Sequence, residues 1–229
     1  LEMPLASLRQ LAAHEVGHTI GLAHNFAASS KGRSSVMDYP HPTLSIKEGQ
    51  VDFTDAYDTK IGDWDKVSIA YSYGEYIEDE DASLSKILDD AFKKGARFIT
   101  DQDARPLGSA HAYAHLWDNG SDVTTELENL LSIRRNSIAN FSKDNIKSNQ
   151  PYSVLEDVFV PLYFLHRYQT EGVTKVIGGL YYTYALKDDG NTIVKRIPGK
   201  IERKALSSII KTLSIGELAI PKKLLNLFP

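Results

Sequence analysis

The sequence predicts a mainly α chain, α+β overall, in which a succession of helices is interrupted by one β-hairpin. Three observations predict it. An N-terminal stretch carries histidines four residues apart, the spacing that puts side chains on one face of a helix. Helix-compatible stretches follow over Asp58–Tyr73, Ser83–Phe98, Asp122–Phe141 and Ser153–Thr170. Late in the chain, two runs rich in β-branched and aromatic residues flank the turn sequence Asp188-Asp189-Gly190-Asn191.

In chain order, Pro4 suits the first turn of a helix. That helix is expected over Leu5–Ile20, with Leu8, Leu11, Ala12, Val16 and Ile20 as apolar surface. Small and polar residues with Gly32 make Ala27–Ser35 a loop, and Pro40 and Pro42 exclude helix from the stretch after it. Asp58–Tyr73 offers Ile61, Trp64, Val67, Ile69 and Tyr71 for packing. The acidic run Glu75–Asp81 reads as a seam between two regions, residues 1–78 and 79–229. Beyond it lie the helix Ser83–Phe98 and a turn at Asn119-Gly120. Asp122–Phe141 follows, apolar at Leu127, Leu130, Leu131, Ile133 and Ile138. Ser153–Thr170 reads as one buried helix kinked at Pro161. The hairpin pairs Leu180–Leu186 with Thr192–Ile197, and helices over Ile201–Leu213 and Pro221–Leu227 close the chain.

The chemistry concentrates in His14-Glu15-Val16-Gly17-His18-Thr19-Ile20-Gly21-Leu22-Ala23-His24, which reads H-E-x-x-H-x-x-G-x-x-H. His14 and His18 stand one helical turn apart, so both imidazoles reach one metal ion at about 2.0–2.1 Å. Gly21 comes where the helix must stop for His24 to swing back to the metal, and glycine supplies the positive φ such a stop needs. Three nitrogen ligands leave a fourth zinc position open, the mark of a catalytic site. Glu15 projects beside the metal, where it can serve as general base.

These residues, together with His24-Asn25-Phe26, Val36-Met37-Asp38-Tyr39, Ile61-Gly62-Asp63-Trp64-Asp65, Trp117-Asp118-Asn119-Gly120 and Leu165-His166-Arg167-Tyr168, make the chain resemble bacterial zinc-dependent metalloproteases of the metzincin clan. The resemblance is to the group in which Asn-Phe follows the third histidine and a long helical extension follows the catalytic unit. It implies Zn2+ as cofactor, peptide-bond hydrolysis and an extracytoplasmic location. It implies that residues 1–78 are the C-terminal part of a metzincin-like catalytic domain, with zinc helix, methionine turn and a following helix. Residues 79–229 are then a mostly helical extension with its hairpin near 180–197. Metzincins have a sheet subdomain before the zinc helix, so the chain is expected to be a fragment of a longer precursor. Met37 corresponds to the methionine that forms an apolar floor under the ligands. Tyr39 corresponds to a tyrosine that in some members contacts zinc or the transition-state oxyanion.

Composition is that of a globular protein: 229 residues, 42% hydrophobic and 24% charged. The net charge of −4, with no basic cluster interleaved with aromatics, argues against a nucleic-acid partner. No apolar run approaches a membrane span. The absence of cysteine excludes disulfides and thiolate ligands. His111 and His115 also sit four apart, but without a third ligand they read as surface or capping groups. His41 reads as a solvated loop residue and His166 as a core hydrogen-bonding group. Asp38, Asp55, Asp58, Asp63 and Asp65 match no calcium loop, and helix capping accounts for several of them.

Two functional readings of different kinds follow. One is a zinc endopeptidase acting on proteins or peptides, supported by the intact Glu15. The other is a zinc-binding module whose helical extension recognises a partner with little hydrolysis of its own, supported by the missing sheet. An amidase or peptidase acting on cell-wall peptides would share the zinc chemistry of the first.

Overall fold

A computed structural model describes residues 2–106 and 108–228 and gives a mainly helical chain with two small antiparallel hairpins. Helix α1 spans Glu2–Thr19. It ends in a Schellman motif. Gly21 adopts φ +83°, its N–H donates to His18 O at 3.0 Å, and the Leu22 N–H donates to Gly17 O at 3.0 Å. The expected apolar surface of this helix faces solvent: Leu8 and Val16 are each 59% exposed. Its buried residues are His14 and Gly17.

After a long loop come β1 (Ser45–Lys47) and β2 (Gln50–Asp52), joined by Glu48 and Gly49, both at positive φ. This hairpin was not expected from the sequence, because strands of three residues, each with a single apolar side chain, are too short to establish a period. Leu44 and Val51 anchor it against Leu130 and Ile133. Helix α2 (Asp63–Tyr73) packs on α3 (Glu80–Lys93). The acidic run forms the connection between them and the first turn of α3, where Asp79 accepts the Ala82 N–H at 3.0 Å. A short α4 (Asp101–Ala104) precedes the loop that carries His111 and Trp117.

Helix α5 (Val123–Asn140) is the central strut, capped by Asp122, which accepts from the N–H groups of Thr124 and Thr125. The single helix expected over Ser153–Thr170 is two, α6 (Val154–Tyr163) and α7 (Arg167–Thr174). Two causes converge there. Pro161 has no N–H to give the preceding turn. Arg134 Nε takes the Tyr163 carbonyl at 2.7 Å, and the Arg167 N–H turns to Phe164 O instead. The predicted C-terminal hairpin is present as β3 (Leu180–Tyr182) and β4 (Val194–Arg196), with Leu180 opposite Arg196. Helix α8 (Gly199–Thr212) and short α9 (Ile215–Leu218) and α10 (Lys222–Leu225) complete the chain. Helices α6, α7 and α8 pack around α5, and Leu127, Leu131, Val173 and Ala205 fill the centre.

One polar cluster is buried in this assembly. Arg134 (2% exposed) donates to Glu217 Oε2 at 3.0 Å and to Glu217 O at 2.8 Å, and Arg135 pairs with the same carboxylate. Without Arg134, Glu217 keeps only Arg135, and the carbonyls of Tyr163 and Glu217 lose their buried donor. Arg134→Ala is therefore expected to cost about 2–4 kcal/mol of stability, read as a fall in the urea unfolding midpoint.

Candidate metal centre

The three histidines of the motif converge. His18 Nε2 lies 3.0 Å from His14 Nε2 and 3.1 Å from His24 Nε2. These short contacts cannot all be hydrogen bonds, because each ring has already committed its proton elsewhere. His14 Nδ1 donates to Val36 O at 2.7 Å and His18 Nδ1 to Leu22 O at 3.1 Å. Both acceptors are carbonyls, so both Nδ1 atoms carry hydrogen. His24 Nδ1 donates to Asp101 Oδ2 at 2.9 Å. In the neutral rings every Nε2 is then a bare lone pair, and three lone pairs face one point. A cation is what such a set fits, and zinc is the metal suited to three imidazoles. Burial keeps His14 on the neutral side by lowering its pKa.

Each orienting contact has its own origin in the sequence. The Leu22 carbonyl belongs to the Schellman turn that Gly21 permits. The Val36 carbonyl belongs to the methionine turn, and that turn is held by Asp65 of α2. Asp65, 1% exposed, accepts from Ser35 Oγ at 2.5 Å, the Val36 N–H at 2.9 Å and the Gly62 N–H at 2.6 Å. The Trp64 N–H adds a bond to Ser34 O at 2.8 Å. At Gly62 a Cβ would stand 2.1 Å from the Ser34 carbonyl oxygen, so the close approach requires glycine. Ile61-Gly62-Asp63-Trp64-Asp65, which had no assigned chemistry, is thus the clasp of the turn. Met37 sits under the helix, its Sδ 2.3 Å from where a Cβ on Gly17 would be.

Asp101 was not found from the sequence. It opens α4, and its second oxygen accepts from Arg105 Nη1 at 3.1 Å. Burial opposes its ionisation, but the hydrogen bonds from His24 and Arg105 outweigh that and hold the carboxyl below its usual pKa. Asp103, two residues on, accepts from the phenols of Tyr182 at 2.6 Å and Tyr184 at 2.9 Å, which ties α4 to the C-terminal hairpin. No sequence offset relates Asp101 to the motif, so only the fold brings it there.

Glu15 and Tyr39 flank the cluster. The Tyr39 ring centroid lies 4.4 Å from that of His14 and 5.1 Å from that of His24. Its phenol pKa is raised by burial and then by the charge of Glu15, which also acts on His14. Glu15 itself is exposed. The remaining histidines stay apart from the cluster. His111, expected as a surface or capping group, is fully buried, and its Nε2 bonds Tyr182 O at 3.1 Å. His41, expected in solvent, is half-buried and bonds Gln169 Oε1 at 3.1 Å. The buried Nδ1 of His166 has no hydrogen-bond partner among the described residues.

A helix closed on a left-handed glycine, a third imidazole returned by the turn and a methionine-bearing loop underneath define the metzincin class of metalloproteases. The chain belongs to the Met-zincin family, whose model matches residues 1–228. No match is found among the curated proteins or the solved structures.

Beneath the methionine turn, Ser29 links two buried carboxylates, its N–H donating to Asp38 at 2.8 Å and its hydroxyl to Asp118 at 3.2 Å. Burial raises both pKa values, that of Asp118 to about 7, and the charge of Asp118 raises Asp38 further. Folded Asp118 therefore holds its proton more tightly than the unfolded chain does. Its stabilising contribution is complete at acid pH and is lost as pH climbs from the ordinary carboxylate value through about 7. Asp118→Asn, which keeps an acceptor for Ser29, should gain thermal stability relative to the parent as pH rises over that window. Melting curves of both proteins at matched pH values check this.

Proposed function

We propose that the protein is a zinc-dependent endopeptidase, with His14, His18 and His24 as ligands, Glu15 as general base and Tyr39 as an aid to the transition state. The observation that carries the reading is the convergence of three Nε2 atoms whose rings each direct Nδ1 at a fixed acceptor, with a carboxylate on the residue after His14. Zinc held there supplies Lewis acidity, which acidifies water and polarises a peptide carbonyl. Glu15 accepts a proton from the attacking water as the hydroxyl adds to the scissile carbon. The C–N bond then breaks, and the same carboxyl returns the proton to the leaving amine. Tyr39, kept protonated by its raised pKa, donates to the oxygen on which charge develops. Residues 1–78 carry the ligands and the base, and the extension 79–229 contributes Asp101. The reading includes protein or peptide substrates and an extracytoplasmic setting. Among the described residues no helix is long and apolar enough to cross a membrane.

Glu15→Gln should lower hydrolysis of an unfolded protein substrate by about 10²–10⁴-fold with bound zinc unchanged by elemental analysis. Tyr39→Phe should lower turnover at constant zinc content. A partner-binding module without hydrolysis would show no difference between parent and Glu15→Gln. Asp101→Asn should weaken zinc binding by about 10–100-fold, measured by competition with a chelator.

A further inference from the structure

A cavity on the far side of Trp117 takes no part in this chemistry. Its volume is about 680 Å³, within the range of ligand pockets, and Arg105, His115, Trp117, Tyr168, Glu171 and Lys175 are among its lining residues. One wall is aromatic. The Trp117 ring lies 6.2 Å from Tyr168 and 5.5 Å from Tyr39, which itself packs on His14 and His24. The cavity therefore begins one ring away from the ligand cluster. Trp117 holds φ at 66°, a strained conformation for an aromatic residue, and its N–H is fixed on Tyr39 O at 3.0 Å.

Two cations, Lys175 and Arg105, stand in the rest of the described lining. Lys175 is half-buried, and its ammonium donates to the carbonyls of Ala104 and Ala114. One of its three N–H groups is left over. Among the described residues it makes no direct salt bridge; the carboxylates of Asp118, itself buried, and of Asp103, which is taken up by two phenols, act on it only at longer range. Burial lowers its pKa to about 8, so it still carries charge at neutral pH. Arg105 is 55% exposed at the edge nearest the metal centre, where one N–H of its guanidinium binds Asp101 and the others are available. Glu171 is the sole acid among the described lining residues, and its side chain is 61% exposed.

We propose that this cavity is a substrate subsite for a carboxylate, with Lys175 and Arg105 pairing with the oxygens and Trp117 and Tyr168 flanking the carbon stem. The inference rests on the endopeptidase reading and gives it a specificity. The carboxylate is that of a glutamate or aspartate side chain, or of a peptide C-terminus, and the two sources are separable.

The test uses the full chain carrying Glu15→Gln, which binds peptides without cleaving them. Acetylated, amidated peptides are scanned with a single Glu or Gln at each position, and a second set carries a free C-terminus. Affinities are read by calorimetry, and the parent protein is assayed for cleavage of the same peptides. The expected result is one position where Glu binds about 10–100-fold more tightly than Gln, as one charge-assisted hydrogen bond provides. Lys175→Met should erase that gap and leave the Gln peptide unaffected. Arg105→Gln, which should narrow it, serves if the Lys175 variant does not fold. A gap confined to free C-termini assigns the subsite to a terminal carboxylate. Cleavage with equal Glu and Gln affinities overturns the subsite and leaves the endopeptidase reading intact. A Glu preference in binding with no cleavage by the parent does the reverse. A preference that survives both substitutions also overturns the assignment to this cavity.

Discussion

The three-histidine cluster depends on the assignment of three protons. Each imidazole gives its Nδ1 hydrogen to a fixed acceptor, and each is left with an unshared pair on Nε2 pointing at the other two. Such lone pairs repel one another, so the fold has to hold them together, and a cation would relieve the repulsion. The three acceptors come from different levels of structure: a helix-terminating turn, a loop carbonyl and a carboxylate distant in sequence. None can be lost without freeing one ring to flip or change tautomer.

The surrounding packing serves those acceptors. Asp65 satisfies three donors of the methionine turn and its neighbour, a network that is complete and therefore rigid. Gly62 and Gly17 remove the two side-chain carbons that would hold the turn away from α2 and from α1. Phe26, Ile99, Ala104 and Ala114 fill the space behind the histidines, joining residues from both sides of the acidic run. Rigidity of this kind keeps donor and acceptor within small positional tolerances.

The part of the centre built from local spacing was legible in the sequence. The four-residue interval of His14 and His18, the stop at Gly21 and the return of His24 are consequences of helix geometry and of glycine's access to positive φ, and they need no tertiary knowledge. The C-terminal hairpin was legible through its turn residues, although its ladder is shorter than expected. What escaped was long-range. Asp101 reaches His24 across 77 positions, and nothing about either residue's neighbours announces the pairing. The first hairpin escaped because its three-residue strands carry one apolar residue each, too few to establish a period. The break between α6 and α7 escaped because Pro161 explains a kink, whereas a full interruption needs Arg134 to capture a carbonyl from another helix.

The tie between α4 and the C-terminal hairpin has a consequence for how the protein matures. Asp101 is seated by a segment whose Asp103 is gripped by Tyr182 and Tyr184. A nascent polypeptide that has exposed only the zinc helix and methionine turn therefore presents two oriented rings and a third without its carboxylate. On the proposed zinc reading, tight metal capture would wait until the hairpin has emerged and docked, coupling cofactor acquisition to completion of the fold rather than to the birth of the motif.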